Sequence, residues 1–316
     1  MVRELKIFSG TSNPALAQSI CDHLGVPMGL VSIRKFPDAE TFIRLEEDIR
    51  GRDIFVIQSV CHDPSEYLVE LLIYLDCIRR ASALRVTAVL PYYGYARQDR
   101  KDEGRTPITA KLVANMLSTA GADRVLTVDL HAGQIQGFFD IPLDHLEAQP
   151  VFLDYFGRKH LENLTVVSPD LGSVKRAHVM ARHLAGKLAI VDKERVSSTI
   201  VRSDNLIGAV DGGNVVIYDD IISTAGSVCE AARVLRDHGA RDIYVSATHG
   251  VLCGPAAERL NKAPIKEVIV SDTVPLSDEA KTIKKLKVLS VATLLGEAIR
   301  RIHHNESVSS LFFNED

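Results

Sequence analysis

The sequence predicts an α/β protein built on mainly parallel sheets, and three observations carry that reading. Short β-branched apolar runs recur along the chain, helix-like stretches fill the gaps between them, and the runs are continuous rather than alternating. A strand buried on both faces reads as a continuous apolar run, as in a parallel sheet covered by helices on either side. Alternation marks a sheet with one wet face.

In the first half the runs fall at residues 5–8, 53–58, 85–90 and 124–128. In the second they fall at 165–168, 188–191, 214–218, 242–246 and 266–270. Between them, the stretch 65–81 carries Leu68, Leu71, Leu72, Leu75 and Ile78, one apolar stripe at helical spacing. Thr106 is expected to cap a helix that starts at Pro107 and runs through Leu112, Val113 and Met116 to Gly121. Another helix is expected from Gly226 to His238, closed by Gly239. Such alternation builds doubly wound domains. The 316 residues exceed what one core usually serves, so a division near residues 142–150 is expected, giving domains 1–148 and 149–316. Two strand ends look alike. Residues 125–129 lead into His131-Ala-Gly, and residues 215–219 lead into Asp220 and Thr224-Ala-Gly, which hints at duplication of one α/β unit.

A net charge of −4 argues against a general nucleic-acid or membrane binder, so any anion site must come from locally clustered Arg and Lys. The five cysteines are Cys21, Cys61, Cys77, Cys229 and Cys253; they form no C-x-x-C pair and read as reduced thiols of a cytoplasmic protein. The first ten residues lack the basic-then-apolar pattern of a signal peptide, and no apolar segment is long enough to cross a bilayer.

The chemistry concentrates in three strings. The first is Val215-Val-Ile-Tyr-Asp-Asp-Ile-Ile-Ser-Thr-Ala-Gly-Ser. A strand there leads to two adjacent carboxylates, then a loop of small and hydroxyl residues, then a helix. Ligands of open α/β sheets sit at the carboxyl ends of strands, and a helix N-terminus offers N–H groups to a phosphate. Asp219 and Asp220 are placed to accept hydrogen bonds from sugar hydroxyls or to hold Mg²⁺ through water. The second string, Pro91-Tyr-Tyr-Gly-Tyr-Ala-Arg-Gln-Asp-Arg-Lys, gathers Arg97, Gln98, Asp99, Arg100 and Lys101, with Arg105 nearby. A cationic cluster in an acidic protein suits a polyphosphate. The third, Asp129-Leu-His-Ala-Gly-Gln, sets His131 just past a strand, able to present a nitrogen to a metal or phosphate. There is neither a P-loop nor a dinucleotide fingerprint.

The first string resembles the phosphoribosyl-diphosphate-binding motif shared by type I phosphoribosyltransferases and ribose-phosphate diphosphokinases. With the other two, the chain resembles the diphosphokinases from Ile7-Phe-Ser-Gly to the Ser307-Val-Ser-Ser-Leu-Phe tail. Nucleobase phosphoribosyltransferases are shorter and lack both first-half strings. The resemblance implies two phosphoribosyltransferase-like domains, the first for ATP and the second for ribose 5-phosphate. It implies transfer of the β,γ-diphosphoryl group of ATP to the sugar's anomeric hydroxyl, giving 5-phosphoribosyl 1-diphosphate and AMP for nucleotide biosynthesis. It also implies a Mg²⁺ cofactor, no nucleic-acid partner and no membrane. The assembly would be a homo-oligomer, hexameric in the family, with active sites shared between subunits. By the same resemblance Phe36, Asp38 and Glu40 hold the adenine from a neighbouring subunit, Arg97, Gln98 and Asp99 bind ATP, and His131 and Asp170 hold the metal. Lys193 and Arg195 belong to the catalytic loop, and Asp219, Asp220, Ser223, Thr224, Ala225, Gly226 and Ser227 bind ribose 5-phosphate. Arg50, the loop 101–106, Ser307, Val308, Ser309 and Phe312 match a phosphate-responsive regulatory site, which Asp48 is expected to weaken. Two positions depart from the family pattern: Ser173 stands where Gly is usual, and Ser223 where Asp is common. These keep open a rival reading, a non-catalytic regulatory paralogue.

Overall fold

A computed structural model of the chain describes residues 4–170, 172–195 and 201–311, with 192–195 and 201–205 described as backbone alone. Two compact units emerge. One runs to Glu147 and resumes at Val291; the other is Ala148–Ser290.

The first unit comprises β1 (Leu5–Ser9), α1 (Pro14–Leu24), β2 (Val31–Lys35), β3 (Thr41–Leu45), β4 (Asp53–Ile57), α2 (Pro64–Arg80), β5 (Arg85–Leu90), α3 (Thr109–Ala120), β6 (Arg124–Val128) and β7 (Leu143–Leu146). Its sheet is parallel, in the order β1-β4-β5-β6-β7. β4 is buried along its whole length, as its continuous apolar run requires. After α1 the chain passes the far side of β1, where Met28 forms a single parallel bridge with Ile7. β2 and β3 then form a separate antiparallel hairpin.

The second unit comprises α4 (Gln149–Gly157), β8 (Leu164–Ser168), α5 (Val174–His183), β9 (Lys187–Arg195), β10 (Val201–Ile207), β11 (Asn214–Ile222), α6 (Gly226–Asp237), β12 (Asp242–Gly250), α7 (Ala256–Lys262), β13 (Glu267–Ser271) and β14 (Leu286–Leu289). Its sheet runs β10-β9-β8-β11-β12-β13-β14, parallel except for the β9–β10 pair. The last helix, α8 (Ala292–His304), returns to the first unit and packs on α1. A Cβ added at Gly296 would come within 2.6 Å of the His23 ring. His303 Nδ1 lies 2.8 Å from Asp53, and Arg85 donates both to Asp53 (2.8 Å) and to the Ile302 carbonyl (2.9 Å). The sequence pattern shows no such return; it depends on these contacts with distant residues.

The two units follow one path: a strand, a helix, a return on one side, then onward strands on the other. β1, β4, β5, β6 and β7 take the places of β8, β11, β12, β13 and β14. That is the path a repeated α/β unit produces. The two strand ends that look alike in the sequence are not equivalents, however, because β6 occupies the place of β13 and β4 that of β11.

Two details differ from expectation. α3 begins at Thr109, not Pro107, with Ile108 at its N-cap. Thr106 instead donates to the Glu103 carbonyl at 2.8 Å within the preceding loop. Strands β2, β3, β7, β10 and β14 were not anticipated. They are half-exposed or short edge segments, which a search for continuous apolar runs passes over.

Candidate active site

Open parallel sheets bind ligands where the strand order reverses. In the second unit that point lies between β8 and β11, because the chain leaves β8 for β9 on one side and returns as β11 on the other. β11 pairs with β8 only as far as Ile217 opposite Val167, yet continues beside β12 to Ile222 opposite Gly250. Asp219 and Asp220 lie in this extension, 9% and 5% exposed. The sequence pattern ends the strand at Tyr218; the pairing with β12 carries it through both acids.

Asp219 Oδ1 accepts from the main-chain N–H of Asp220 (2.9 Å) and from Ser173 Oγ (3.0 Å). Ser173 N–H in turn donates to Asp170 Oδ1 at 3.0 Å, and Ser168 Oγ to the Asp170 carbonyl at 2.6 Å. The turn after β8 is thus tied to the end of β11. Arg176, in the first turn of α5, lies 3.5 Å from Asp220 Oδ1. Burial pushes the Asp219 carboxyl up to about 8, with the neighbouring Asp220 and then Asp170 adding to the effect. Buried carboxylates this close are costly until hydroxyl donors or a cation meet them.

Residues 223–227 close the site. Ser223 is anchored by its carbonyl, which accepts from Cys253 N–H at 3.0 Å, and Ser223 Oγ lies 3.3 Å from Cys253 Sγ. Ala225 takes a left-handed conformation (φ 58°), which turns the chain into α6 at Gly226. No side chain caps that helix, so its N–H groups and dipole can face an anion. Thr224 and Ser227 are exposed beside it, and Arg259 of α7 donates to the Thr224 carbonyl at 3.1 Å.

In the first unit, the loop after β5 is held by its aromatics. Tyr93 is buried, donates to the Ala110 carbonyl at 2.9 Å and packs edge-on against Phe139. Gly94 passes so close to Val60 that a Cβ would lie 2.5 Å from its carbonyl oxygen. Arg97 and Gln98 are exposed; Gln98 accepts from Thr109 Oγ1 at 2.5 Å, and Asp99 accepts from Gln134 Nε2 at 2.7 Å. This last bond joins the loop to the turn after β6 that carries the exposed His131. Phe36, Asp38 and Glu40 form the turn of the β2–β3 hairpin. Phe36 N–H donates to the Glu40 carbonyl at 2.8 Å, and Phe36 is 43% exposed, against Phe42 and under Arg34. Lys193 and Arg195 lie on the backbone of β9, and their side chains fall outside the described ones, as does the whole of Phe312.

The sequence reading missed Arg176 and Arg259. Arg176 had a signal: Lys175 and Arg176 open α5, where the helix dipole disfavours cations, so an anion nearby is implied. Arg259 reaches the loop from another helix, which no local pattern reveals.

Among the described residues, no three or more His, Cys, Asp or Glu side chains are arranged to hold a metal by themselves. The oxygen donors present fit a hard divalent cation that keeps water and arrives with substrate phosphates, which commonly needs only one or two carboxylates. The five cysteines are free, and burial pushes the thiols of Cys21, Cys61 and Cys229 up to about 11, 12 and 11, away from nucleophilic use.

Residues 5–121 match the N-terminal domain of ribose phosphate pyrophosphokinase, and residues 202–313 the phosphoribosyl synthetase-associated domain. The ribose-phosphate pyrophosphokinase of Rhodopirellula baltica is 55% identical over 314 residues, covering 98% of this chain and 99% of its own. That of Bacillus subtilis is 50% identical over 310 residues, covering 98% of each chain. The crystal structure of phosphoribosylpyrophosphate synthetase from Mycobacterium smegmatis is similar with a TM-score of 0.90 and 43% identity, over 96% of this chain and 100% of that one. The chain therefore belongs to the ribose-phosphate pyrophosphokinase family.

Proposed function

We propose that the chain transfers the β,γ-diphosphoryl group of ATP to the anomeric hydroxyl of ribose 5-phosphate, releasing AMP and 5-phosphoribosyl 1-diphosphate. One observation carries this reading: two buried carboxylates, Asp219 and Asp220, precede a phosphate-sized loop and an uncapped helix at the switch point of the second unit. The carboxylates suit the sugar's vicinal hydroxyls, and residues 223–227 with the N-terminus of α6 suit its 5-phosphate.

The anomeric oxygen attacks the β-phosphorus in line, the bond from that phosphorus to the α-phosphate oxygen breaks, and AMP leaves. Such transition states are loose, so the protein contributes position and charge neutralisation. Arg97, Gln98 and Asp99 hold ATP with His131, while Lys193 and Arg195 neutralise the transferring group. Mg²⁺ would supply charge neutralisation on the phosphates; on the family resemblance His131 and Asp170 are the residues that would serve it. Phe36, Asp38 and Glu40 serve the adenine of a neighbouring subunit, a role that suits an exposed hairpin turn, in a homo-oligomer that is hexameric on the family resemblance. No helix of the described chain is long and apolar enough to cross a membrane. We place the enzyme in the cytoplasm, with no nucleic-acid partner. Asp48 accepts from Arg50 N–H at 3.1 Å, so a carboxylate stands next to Arg50, which the family resemblance gives to a phosphate-responsive site. Activation by phosphate should therefore be weak, and a phosphate titration giving strong activation contradicts it.

The test is incubation with Mg²⁺, ATP and ribose 5-phosphate. AMP formed only with the sugar phosphate, matched by phosphoribosyl diphosphate, supports the reading. ADP in its place means a misread site. No turnover with phosphate supplied points to the regulatory paralogue.

A further inference from the structure

Ser173 does more in this fold than start a helix. It occupies the N-cap position of α5, yet its side chain makes no capping bond to that helix. The hydroxyl instead crosses the switch point to Asp219 Oδ1 at 3.0 Å, while its own N–H holds Asp170 Oδ1 at 3.0 Å. One buried residue thus grips an acid from each side of the crevice. Asp219 Oδ1 also takes the main-chain N–H of Asp220 at 2.9 Å, and the two carboxyl groups lie within hydrogen-bond reach of each other. Two donors on one oxygen fix the rotation of the carboxylate.

We propose that Ser173 is a positioning residue for the sugar: its hydroxyl locks Asp219 so that Oδ2 is presented to a hydroxyl of the bound ribose phosphate. This deepens the proposed function and rests on it. Loss of one buried hydrogen bond that positions the acid weakens binding by up to about tenfold. The loss falls on ground-state sugar binding, because the bond that is deleted is the one to Asp219, the acid that the proposed function gives to the sugar hydroxyls, while the N–H to Asp170 stays.

The experiment compares Ser173→Ala and Ser173→Gly with the wild-type enzyme under saturating Mg²⁺. Both variants delete the hydroxyl and keep the N–H to Asp170, and glycine adds no bulk should alanine pack poorly. The expected result is a KM for ribose 5-phosphate raised about tenfold in both, kcat lowered by less than about threefold, and an unchanged KM for ATP. A folded variant whose KM for the sugar stays within about twofold of wild type overturns the proposal, as does a KM for ATP that rises in step. Failure of the underlying function looks different: the wild-type protein itself would form no AMP from ATP and ribose 5-phosphate.

Discussion

Where β1 and β4 part in the first unit, the crevice is filled by the protein's own polar groups. Gln58, buried just past β4, accepts from Ser12 N–H (3.1 Å) and Ser12 Oγ (2.7 Å) and donates to Glu70 Oε1 (2.7 Å). Glu70, buried on α2, also accepts from Thr11 N–H (2.7 Å) and Thr11 Oγ1 (2.5 Å), and Ser59 N–H donates to Ser12 Oγ (2.8 Å). Gly10 leaves no room for a side chain, since a Cβ would stand 2.3 Å from Gln58 Oε1. Where β8 and β11 part in the second unit, the same place in the path holds Asp219 and Asp220. A single side-chain hydroxyl donates to Asp219, and the Arg176 guanidinium lies 3.5 Å from Asp220. One switch point has its buried polar groups matched side chain to side chain; the other sets two buried carboxylates next to each other. A shared strand path therefore does not by itself mark a ligand site; the residue types placed at the crevice distinguish the two units.

The comparison can be broken at either end. The largest effect is expected on the β9 side of the second unit, where Lys193→Ala and Arg195→Ala should each lower kcat by about a thousandfold or more. Steady-state rates within about threefold of wild type for both would remove them from catalysis. Next is the closed switch point. Gln58→Ala takes one donor from Glu70 and removes the acceptor of the Ser12 N–H and hydroxyl, which costs about 3 kcal/mol and lowers Tm by about 5–10 °C. The KM for ribose 5-phosphate should not move, and a sugar-specific KM change would mean that this crevice is not closed. Arg259→Ala withdraws a cation from residues 223–227 and should raise the KM for ribose 5-phosphate about fivefold, with the KM for ATP unchanged.

The last effect is one of pH, read on stability and not on rate. Asp219 stands near 8 in the fold against an ordinary 3.8, so the folded state binds its proton more tightly than the unfolded chain. Its contribution to stability is full below about pH 4 and is lost as pH rises through about 8. Asp219→Asn removes that loss. In melting curves its Tm advantage over wild type should be absent near pH 4 and grow steadily as pH rises towards about 9. An advantage that does not change with pH would mean the carboxylate is not strained by burial.

Much of this was legible in the sequence. Continuous runs such as 53–57 and 215–218 announce buried parallel strands, and the Asp219 string announces its site through residue types at fixed spacing. The rest depends on partners far apart in the chain. That the first switch point is closed follows from Gln58 meeting Ser12 and Glu70, a match made only once β1, β4 and α2 are assembled. The return of α8 depends on Asp53, Arg85 and His303 converging. Ser173 reads locally as an intrusion where close backbone approach is usual, and its bond to Asp219, 46 positions away, gives it another use.

Hydrogen exchange with and without ribose 5-phosphate tests the central contrast most directly. Protection of the amides in 219–228 and 172–177, with no change in 9–13 and 58–61, is the predicted result. Protection at the first-unit crevice, or none at the second, would contradict it.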